Sequence, residues 1–459
     1  LLRSIKLTKL TIIGAGSAVF TKNIFTDLMF INEFKKMDIA LVDIDEKRLK
    51  VSHELLDVIA KKLDAAPNIK SYTDRKEALV GSDFIQSTIQ VGGYKPSTVI
   101  DFNIPRQFGL KQTIADTLGI GGIMRGLRTI PVLVDIGRDI MDLCPNSFWL
   151  QYVNPMCSNM IAINSACKGI KSVGLCHSVQ GTAEMLAKDL NEKIEDIDYL
   201  CAGINHMAFY KKFTKKNGNG GEDLYPKLKK LADDIVSDKI TSTRSISKDS
   251  ESDKVLHEKV RYEILRRFGY FVTESSEHFA EYVPWFIKQN RQDLIDQYKI
   301  PIEEYIDRCK NNIKLWDDLE KDMTPIHNQP LKRGKEYASY IMDAVTNNNE
   351  VTINGNVMND GYIDNLPSNC CVEVPCLINS KGNQPQKTGR LPEHLAALMR
   401  TNINVQILTA EAALTNKKEH IYHAAMLDPL TGANLSIDEI YEMVDKLIEA
   451  HGNYLPKYN

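Results

Sequence analysis

The sequence predicts an α/β fold, with a Rossmann-like, doubly wound sheet in the N-terminal part and a mixed, largely helical C-terminal part. Short apolar runs alternate with helix-like apolar spacing over the first third of the chain, which is typical of βαβ units in a mostly parallel sheet. After about Cys201 helical patterns dominate. We therefore predict two domains, residues 1–195 and residues 196–459.

The predicted strands and helices alternate along the first part. The runs interpreted as strands cover residues 10–13, 39–42, 84–91, 149–153, 172–175 and 199–204. The segments interpreted as helices cover residues 17–30 and 128–144 in the first part, and 224–236, 256–268, 302–319 and 391–413 in the second. Apolar spacing of this kind is the main signal that distinguishes helices from strands.

The composition indicates a globular protein, because 43% of the 459 residues are hydrophobic, 25% are charged and the formal net charge is −3. A nucleic-acid surface usually brings a basic excess, so we expect no nucleic-acid partner. No run approaches the roughly 20 apolar residues of a membrane span, and the first residues lack signal-peptide features. With 9 scattered cysteines, an odd number that fits reduced thiols, the sequence predicts a cytoplasmic protein without a membrane partner.

A glycine-rich turn follows the first predicted strand. Gly14-Ala15-Gly16-Ser17 leads through Ala18 into a helical pattern. The first glycine permits a tight turn, the second lets the backbone approach a pyrophosphate, and the helix N-terminus offers free N–H groups and a positive dipole end. Phe20 stands near the place of the usual third glycine. We predict that Gly14, Gly16, Ser17 and Ala18 bind a dinucleotide, with an ordinary strand–turn–helix as the alternative.

An acidic residue ends the second predicted strand. Asp43 lies at the spacing expected for a carboxylate that accepts hydrogen bonds from ribose hydroxyls. Such a carboxylate repels a 2′-phosphate, so the sequence favours NAD over NADP. Asp45 is the alternative ribose ligand.

Two further predicted strands end in residues that can bind a metal. Cys176 follows one of them and His206 follows the next. Because ligands gather at the carboxyl ends of strands in open α/β sheets, a thiolate and an imidazole there can hold a divalent metal with open positions for substrate oxygens. The alternative is a buried cysteine and a buried, hydrogen-bonded histidine, since the pair alone is a weak signal.

The order of the motifs resembles glycoside hydrolase family 4. The motifs are Gly14-Ala15-Gly16-Ser17, Asp116-Thr117-Leu118-Gly119-Ile120-Gly121-Gly122, Asn154-Pro155-Met156, Cys176-His177-Ser178-Val179, Gly203-Ile204-Asn205-His206 and Asp428-Pro429. The resemblance extends from about Lys6 to about Leu447, and residues 268–278 are most similar to the α-galactosidase (melibiase) branch.

The resemblance implies a glycosidase that depends on NAD and a divalent metal, usually Mn²⁺, held by Cys176 and His206. Enzymes of this kind are exceptions to the two-carboxylate scheme of glycoside hydrolysis. The sugar 3-hydroxyl is oxidised, a proton leaves C2, the C1–O bond is eliminated, water adds and C3 is reduced again. Residues 1–195 are then the NAD-binding domain, and residues 196–459 carry substrate, metal and oligomer contacts. Family members further suggest a homodimer or homotetramer.

The resemblance also implies roles near the substrate. Asn154 matches a position that contacts substrate hydroxyls, with a helix cap as the alternative. Asp116 is the candidate acid near the leaving group or the C2–C3 hydroxyls, with a turn-forming aspartate as the alternative. His177 stands where phosphosugar members often have an aspartate acid, which leaves the acid open between Asp116 and His177.

Phosphosugar members of the family use a tyrosine from a later segment as the base. We favour Tyr282 for this role, and Tyr270, Glu274 and Glu277 are the other candidates in the matching region.

The substrate class depends on the loop after the fourth strand motif. Members that act on 6-phosphosugars carry an arginine there, which suits a phosphate, whereas residues 92–98 contain Lys95 as their only cation. We expect an unphosphorylated α-galactoside such as melibiose or raffinose, with α-glucosides and α-galacturonides as alternatives. A 2-hydroxy-acid dehydrogenase and a non-catalytic NAD sensor are the alternatives from other classes.

Overall fold

The computed structural model describes residues 7–217, 221–245 and 255–459. The strands in these residues are β1 (Lys9–Ile13), β2 (Asp38–Val42), β3 (Asn68–Tyr72), β4 (Phe84–Ser87), β5 (Phe148–Gln151), β6 (Ser172–Leu175), β7 (Ile197–Ile204), β8 (Met207–Lys215), β9 (Glu222–Asp223), β10 (Thr243–Ser245), β11 (Val255–His257), β12 (Val351–Met358), β13 (Cys371–Asn379) and β14 (Gly382–Pro385).

Helices account for most of the remaining described chain. They are α1 (Ala18–Met29), α2 (Glu46–Lys62), α3 (Arg75–Leu79), α4 (Val99–Gln107), α5 (Gly119–Leu143), α6 (Met156–Ala166), α7 (Ser178–Asp189), α8 (Tyr225–Val236), α9 (Lys259–Phe268), α10 (Ser276–Glu281), α11 (Gln292–Tyr298), α12 (Glu304–Lys321), α13 (Thr324–Asn328), α14 (Tyr337–Asn347), α15 (Glu393–Thr415), α16 (Lys418–Leu427), α17 (Pro429–Asn434) and α18 (Ile437–His451).

A single mixed sheet organises the described residues. Its order is β3-β2-β1-β4-β5-β6-β12-β13-β7-β8-β9, and β14 pairs with β13. The first six strands of this order are parallel, and 3-2-1-4-5-6 is the strand order of the dinucleotide-binding Rossmann fold. From β12 onward the neighbouring strands are antiparallel. The predicted fold class is confirmed.

Most of the parallel strands form because their residues are largely apolar and buried, whereas the edge strand β3 has no buried residue. Four of the five residues in β1 and in β2 are buried, as expected for strands with helices on both sides. β4 ends earlier than the predicted 84–91, because the chain turns at Gly92, whose φ of 79° lies in the left-handed region. The switch between β1 and β4 places the Gly14 turn where ligands bind in such sheets.

Helix α5 begins nine residues before the predicted start at Arg128. Glycine is a poor helix former, so the run Gly119-Ile120-Gly121-Gly122 concealed this first part of the helix. Close packing requires the small residues: a Cβ on Gly121 would lie 2.6 Å from the Cβ of Ala115, and one on Gly126 would lie 2.7 Å from Thr409 Cγ2. The glycines thus bring α5 against the turn that carries Asp116.

Strands β12 and β13, which lie between β6 and β7 in the sheet, were not predicted from the sequence. Asn354, Gly355 and Asn356 interrupt the apolar pattern of β12, and these residue types are depleted in strands. The two asparagines are buried and donate to the carbonyls of Cys201 and Gly174, at 3.2 Å each.

One predicted helix is divided in the structure. The helix predicted over residues 256–268 is split, since residues 255–257 form β11 and α9 begins at Lys259. None of the helices in the described residues is long and apolar enough to cross a bilayer. The large sheet continues across residue 195, and the two-domain division stays a prediction.

Candidate active site

The turn after β1 has the geometry of a dinucleotide turn. Gly14 has a φ of 88°, and a Cβ there would lie 2.5 Å from the carbonyl oxygen of Thr88. The N–H groups of Gly14 and Ala15 bond to the carbonyl of Val42, at 2.9 and 3.0 Å. Ser17 is the N-cap residue of α1, so the amides at this helix N-terminus point toward the turn. Ala18 begins the helix, and its side chain lies outside the described part of the structure.

The two candidate ribose ligands differ in what they contact. Asp43 Oδ2 accepts a hydrogen bond from the Gly16 N–H at 2.7 Å, so this carboxylate lies directly beside the turn. Asp45 caps α2 by accepting from the Arg48 N–H at 3.1 Å. A capping role therefore accounts for Asp45, whereas Asp43 bonds the backbone of the glycine turn itself.

Three side chains converge after β6 and β7. Cys176 Sγ lies 3.3 Å from His206 Nε2, and Glu274 Oε2 lies 3.6 Å from the same nitrogen. One donor atom from each residue falls within 4.8 Å of the other two. His206 and Glu274 both have positive φ, 63° each, an uncommon backbone conformation for such residues that often marks a functional site.

The charges of this cluster suit a divalent cation. Burial would raise the pKa of Cys176, but the neighbouring His206 lowers it below the usual value for a thiol. Burial would lower the pKa of His206, but Cys176 and Glu274 raise it to about 10. The two shifts favour a proton on His206 and its loss from Cys176. A cation held by the sulfur, the imidazole nitrogen and the carboxylate would displace these protons, and these three donor types bind first-row divalent metals.

Asp116 and Asn154 lie together on one side of the cluster. Asn154 Nδ2 donates to Asp116 Oδ2 at 3.3 Å, and Thr117 Oγ1 donates to Asp116 Oδ1 at 2.7 Å. Burial would raise the pKa of Asp116, but Arg125 and His278 lower it below its usual value. The N-cap residue of α6 is Pro155, so the side chain of Asn154 faces Asp116 rather than a helix end.

His278 lies between Asp116 and the cluster of Cys176, His206 and Glu274. No role was predicted for it from the sequence. Its Nε2 lies 3.9 Å from Asp116 Oδ1, its Nδ1 lies 3.5 Å from Glu274 Oε1, and its ring is 5.0 Å from that of His206. Burial lowers the pKa of His278 to about 4, so the imidazole is neutral at pH 7. The signal for His278 was its place four residues after Glu274, on the first turn of α10.

Tyr282 contacts the opposite nitrogen of His206. Its hydroxyl lies 3.1 Å from His206 Nδ1, and its side chain is fully buried. Burial raises the pKa of Tyr282 well above its usual value. Of the other base candidates, Glu274 lies in the cluster, Tyr270 packs on Tyr225 with ring centroids 5.8 Å apart, and Glu277 lies 3.7 Å from Arg308 Nη2.

His177 faces α1, the helix that follows the Gly14 turn, rather than the cluster of Cys176, His206 and Glu274. Its Nε2 lies 2.6 Å from Glu336 Oε2, and its ring lies 5.9 Å from Phe20 and 6.0 Å from Tyr152. Burial would lower the pKa of His177, but the bond to Glu336 raises it to about 9. Glu336 was absent from the candidates because it begins a distant segment, just before α14.

Two family models match most of the chain. The model of the family 4 glycosyl hydrolases matches residues 9–192, and the model of the family 4 glycosyl hydrolase C-terminal domain matches residues 201–431. An α-galactosidase of Bacillus subtilis (strain 168) is 46% identical over 452 residues, which cover 98% of this chain and 100% of that protein. An α-galactosidase of Rhizobium meliloti (strain 1021) is 33% identical over 464 residues, covering 98% and 89%.

A solved structure has the same fold along almost the whole chain. It is a 6-phospho-α-glucosidase from gut microorganisms in complex with NAD and Mn²⁺, with a TM-score of 0.80, 18% identity, and coverage of 99% of this chain and 100% of that one. The chain therefore belongs to the family 4 glycosyl hydrolases. The family predicted from the motifs is confirmed, and the dehydrogenase and NAD-sensor alternatives are set aside.

Proposed function

We propose that this enzyme hydrolyses unphosphorylated α-galactosides of the melibiose and raffinose type. The observation that carries the proposal is the 46% identity to an α-galactosidase over 98% of the chain. The loop at residues 92–98 supports it, because Lys95 is its only cation and is exposed to solvent, whereas a phosphate is best held by a bidentate arginine. Relatives named α-galacturonidase are 26% identical, so a galacturonide is the second candidate substrate.

We propose NAD and a divalent metal, Mn²⁺ or another, as cofactors. NAD would lie on the turn at Gly14, Gly16, Ser17 and Ala18, with Asp43 at its ribose, and Cys176, His206 and Glu274 would hold the metal. When bound, NAD supplies reversible oxidation at C3 of the sugar and the metal polarises the neighbouring oxygens.

The protein side chains would orient the sugar and move its protons. Asn154 offers its amide to substrate hydroxyls, and Asp116 or His177 serves as the acid. Tyr282 would serve as the base that takes the C2 proton. Its hydroxyl lies 3.1 Å from His206 Nδ1, and an N–H of His206 that donates a hydrogen bond to the phenol oxygen would stabilise a phenolate. Glu274 is the second candidate for the base.

Turnover of a chromogenic α-galactoside tests the substrate. With NAD and Mn²⁺ present, the α-galactoside should be hydrolysed faster than the matching α-glucoside, α-galacturonide or galactoside 6-phosphate. Faster hydrolysis of the galacturonide or the 6-phosphate would refute the proposed specificity. Cys176→Ser serves as the matched inactive control.

The isotope content of the product tests the mechanism. Direct displacement at C1 leaves the C2–H bond intact, whereas elimination breaks it and restores it with a solvent proton. Turnover in D₂O should place deuterium at C2 of the released galactose, with NAD needed only in catalytic amount. Protium retained at C2 would exclude elimination. Loss of C2 exchange in Tyr282→Phe, with the affinities for NAD and Mn²⁺ retained, would identify Tyr282 as the base.

We further propose a cytoplasmic location and a homodimer or homotetramer. The division into an NAD-binding domain of residues 1–195 and a substrate, metal and oligomerisation domain of residues 196–459 remains part of the proposal. Light scattering on the purified enzyme tests the oligomeric state.

A further inference from the structure

A buried carboxylate outside the candidate site holds the chain next to Asp116. Glu281, the last residue of α10, is 1% exposed. Its Oε2 accepts the N–H groups of Thr113 and Ile114, at 2.9 and 3.2 Å, and its Oε1 accepts the N–H of Ala115 at 2.9 Å. Three consecutive backbone donors therefore converge on one side chain. Burial raises the pKa of Glu281 to about 8, although the N–H groups of Thr113 and Ala115 oppose the shift. The geometry of the three N–H groups, rather than a charge, defines this contact.

The segment that Glu281 holds has an unfavourable backbone conformation. Ala115 has a φ of 55°, a left-handed conformation that is unfavourable for a residue with a Cβ. Its other face is closed by α5, where Gly121 leaves room for the Ala115 side chain. Thr113 adds a fourth link, because its Oγ1 donates to the Glu277 carbonyl at 2.7 Å. The conformation persists because the contacts on both sides determine it.

This arrangement connects the two halves of the candidate site. Asp116 follows Ala115 directly, and Tyr282 follows Glu281 directly. The first faces Asn154 and the second faces His206. The bonds from Glu281 to residues 113–115 therefore determine how far the Asp116 carboxylate lies from the His206 side of the site.

We propose that Glu281 is a positioning residue that holds the 113–115 backbone and thereby aims Asp116 at the substrate. The inference rests on the proposed function for the role of Asp116, whereas the contacts of Glu281 can be tested without turnover. Glu281 itself lies behind the loop and acts through Asp116.

Glu281→Gln is the discriminating variant, because glutamine keeps the shape but replaces one acceptor oxygen by an NH₂ group. That group faces at least one of the three backbone N–H groups, which then loses its acceptor. We expect kcat to fall by about 100-fold, the loss that a displacement near 1 Å can produce, with an unchanged Kd for NAD. Hydrogen exchange followed by mass spectrometry should show faster exchange of the amides of Thr113, Ile114 and Ala115.

Two further variants separate positioning from a general loss of structure. Adding Ala115→Gly to Glu281→Gln should restore part of kcat, because glycine adopts a positive φ without strain. Glu263→Gln is the matched control: Glu263 is a largely buried carboxylate that bonds Arg266 and Arg267, away from the loop, and its loss should leave kcat and exchange at residues 113–115 unchanged. If Glu281→Gln does not yield folded protein, Glu281→Asp, which is shorter by one methylene, should change both measurements in the same direction.

Different results would refute the role of Glu281 and the proposed function. Wild-type exchange rates at residues 113–115 in Glu281→Gln would overturn the inference whatever the substrate. A fall in kcat that Ala115→Gly does not relieve at all would overturn it as well. A wild-type enzyme that hydrolyses no α-galactoside would refute the proposed function, while the exchange measurement would still decide whether Glu281 holds the loop.

Discussion

The substitution Asp43→Ala tests the cofactor site most directly, because the structure separates the two candidate ribose ligands. Asp43 already bonds the Gly16 N–H at 2.7 Å and the Asp45 N–H at 3.0 Å. A carboxylate has about four acceptor positions, so it retains capacity for the ribose hydroxyls. Its removal deletes the ribose contact and also releases the Gly16 turn.

The expected loss follows from the kind of bond. A hydrogen bond to a charged group contributes about 1.5–3 kcal/mol, and about 1.4 kcal/mol corresponds to a tenfold change in Kd. Asp43 is partly exposed, so solvent screening favours the lower end of this range. We expect NAD to bind about 10- to 30-fold more weakly, from the same conversion. NADP should lose less affinity than NAD, because the repulsion of its 2′-phosphate disappears.

Isothermal titration with NAD and then NADP, in the absence of sugar, measures both quantities. Asp45→Ala is the matched control, since it removes the cap of α2 and should cost stability, about 1 kcal/mol, with little change in NAD affinity. Unchanged NAD affinity in Asp43→Ala together with weakened binding in Asp45→Ala would show that the ribose ligand was assigned to the wrong aspartate.

Three other predictions concern the metal site, a buried ion pair and pH. Cys176→Ser and His206→Ala should each abolish turnover and weaken Mn²⁺ binding, followed by electron paramagnetic resonance, with NAD affinity retained; full activity of either variant in a chelator would contradict the metal site. Arg128→Met removes the guanidinium that bonds Asp101 at 2.7 and 3.0 Å and leaves Asp101 its contact with His451 Nε2 at 2.8 Å. The free energy of unfolding should fall by about 3 kcal/mol, the lower end for a broken buried pair, and the Tm by about 3 °C for a chain of this length; calorimetry showing no shift would refute the prediction. Burial raises the pKa of Asp428 to about 6, although the Thr431 N–H and hydroxyl oppose the shift. The folded protein then holds this proton more tightly than the unfolded chain, so the free energy of unfolding should fall as pH rises from about 4 to about 6. Urea titrations across this range should show that the slope of the free energy of unfolding against pH is less negative for Asp428→Asn than for wild type. Equal slopes for the two proteins would contradict the prediction.

Five of the six parallel strands were predictable because their signals are local, whereas β3 was not predicted, because this edge strand has no buried residue. A strand buried on both faces is a continuous apolar run, and the run in β1 ends directly at Gly14. Only one helix and one strand separate that turn from Asp43, so the number of residues between them could be read directly from the sequence. The same locality allowed the helix α1 to be placed within one residue at each end.

The missing parts depend on contacts between distant segments. β12 has buried asparagines that are stable only because the carbonyls of Cys201 and Gly174 accept their N–H groups. Glu281 showed no pattern of its own, since its three partners precede it by more than 160 residues. Helix propensity likewise could not reveal that the glycines of α5 serve close packing against Ala115.

Cys176 and His206 were predicted to lie together, but the sheet topology brings them together in a different way from the one expected. Cys176 and His206 were expected to meet because carboxyl ends of strands share one edge of a sheet. However, β7 runs antiparallel to β6, because each step from β6 through β12 and β13 to β7 reverses direction.

The two residues meet through register instead. Gly174 pairs with Asn356, Asn356 with Glu373, and Glu373 with Gly203, so the last residues of β6 and β7 lie at one level of the sheet. From there His206, in a left-handed conformation at the β7–β8 turn, reaches back to the thiol. The donors of the candidate metal site therefore come from both predicted domains, and residues 351–379, which carry no ligand themselves, set the distance between them. A substitution that shifts the β12–β13 register by one residue would turn the side chains of β12 to the opposite face and separate Cys176 from His206 without altering either.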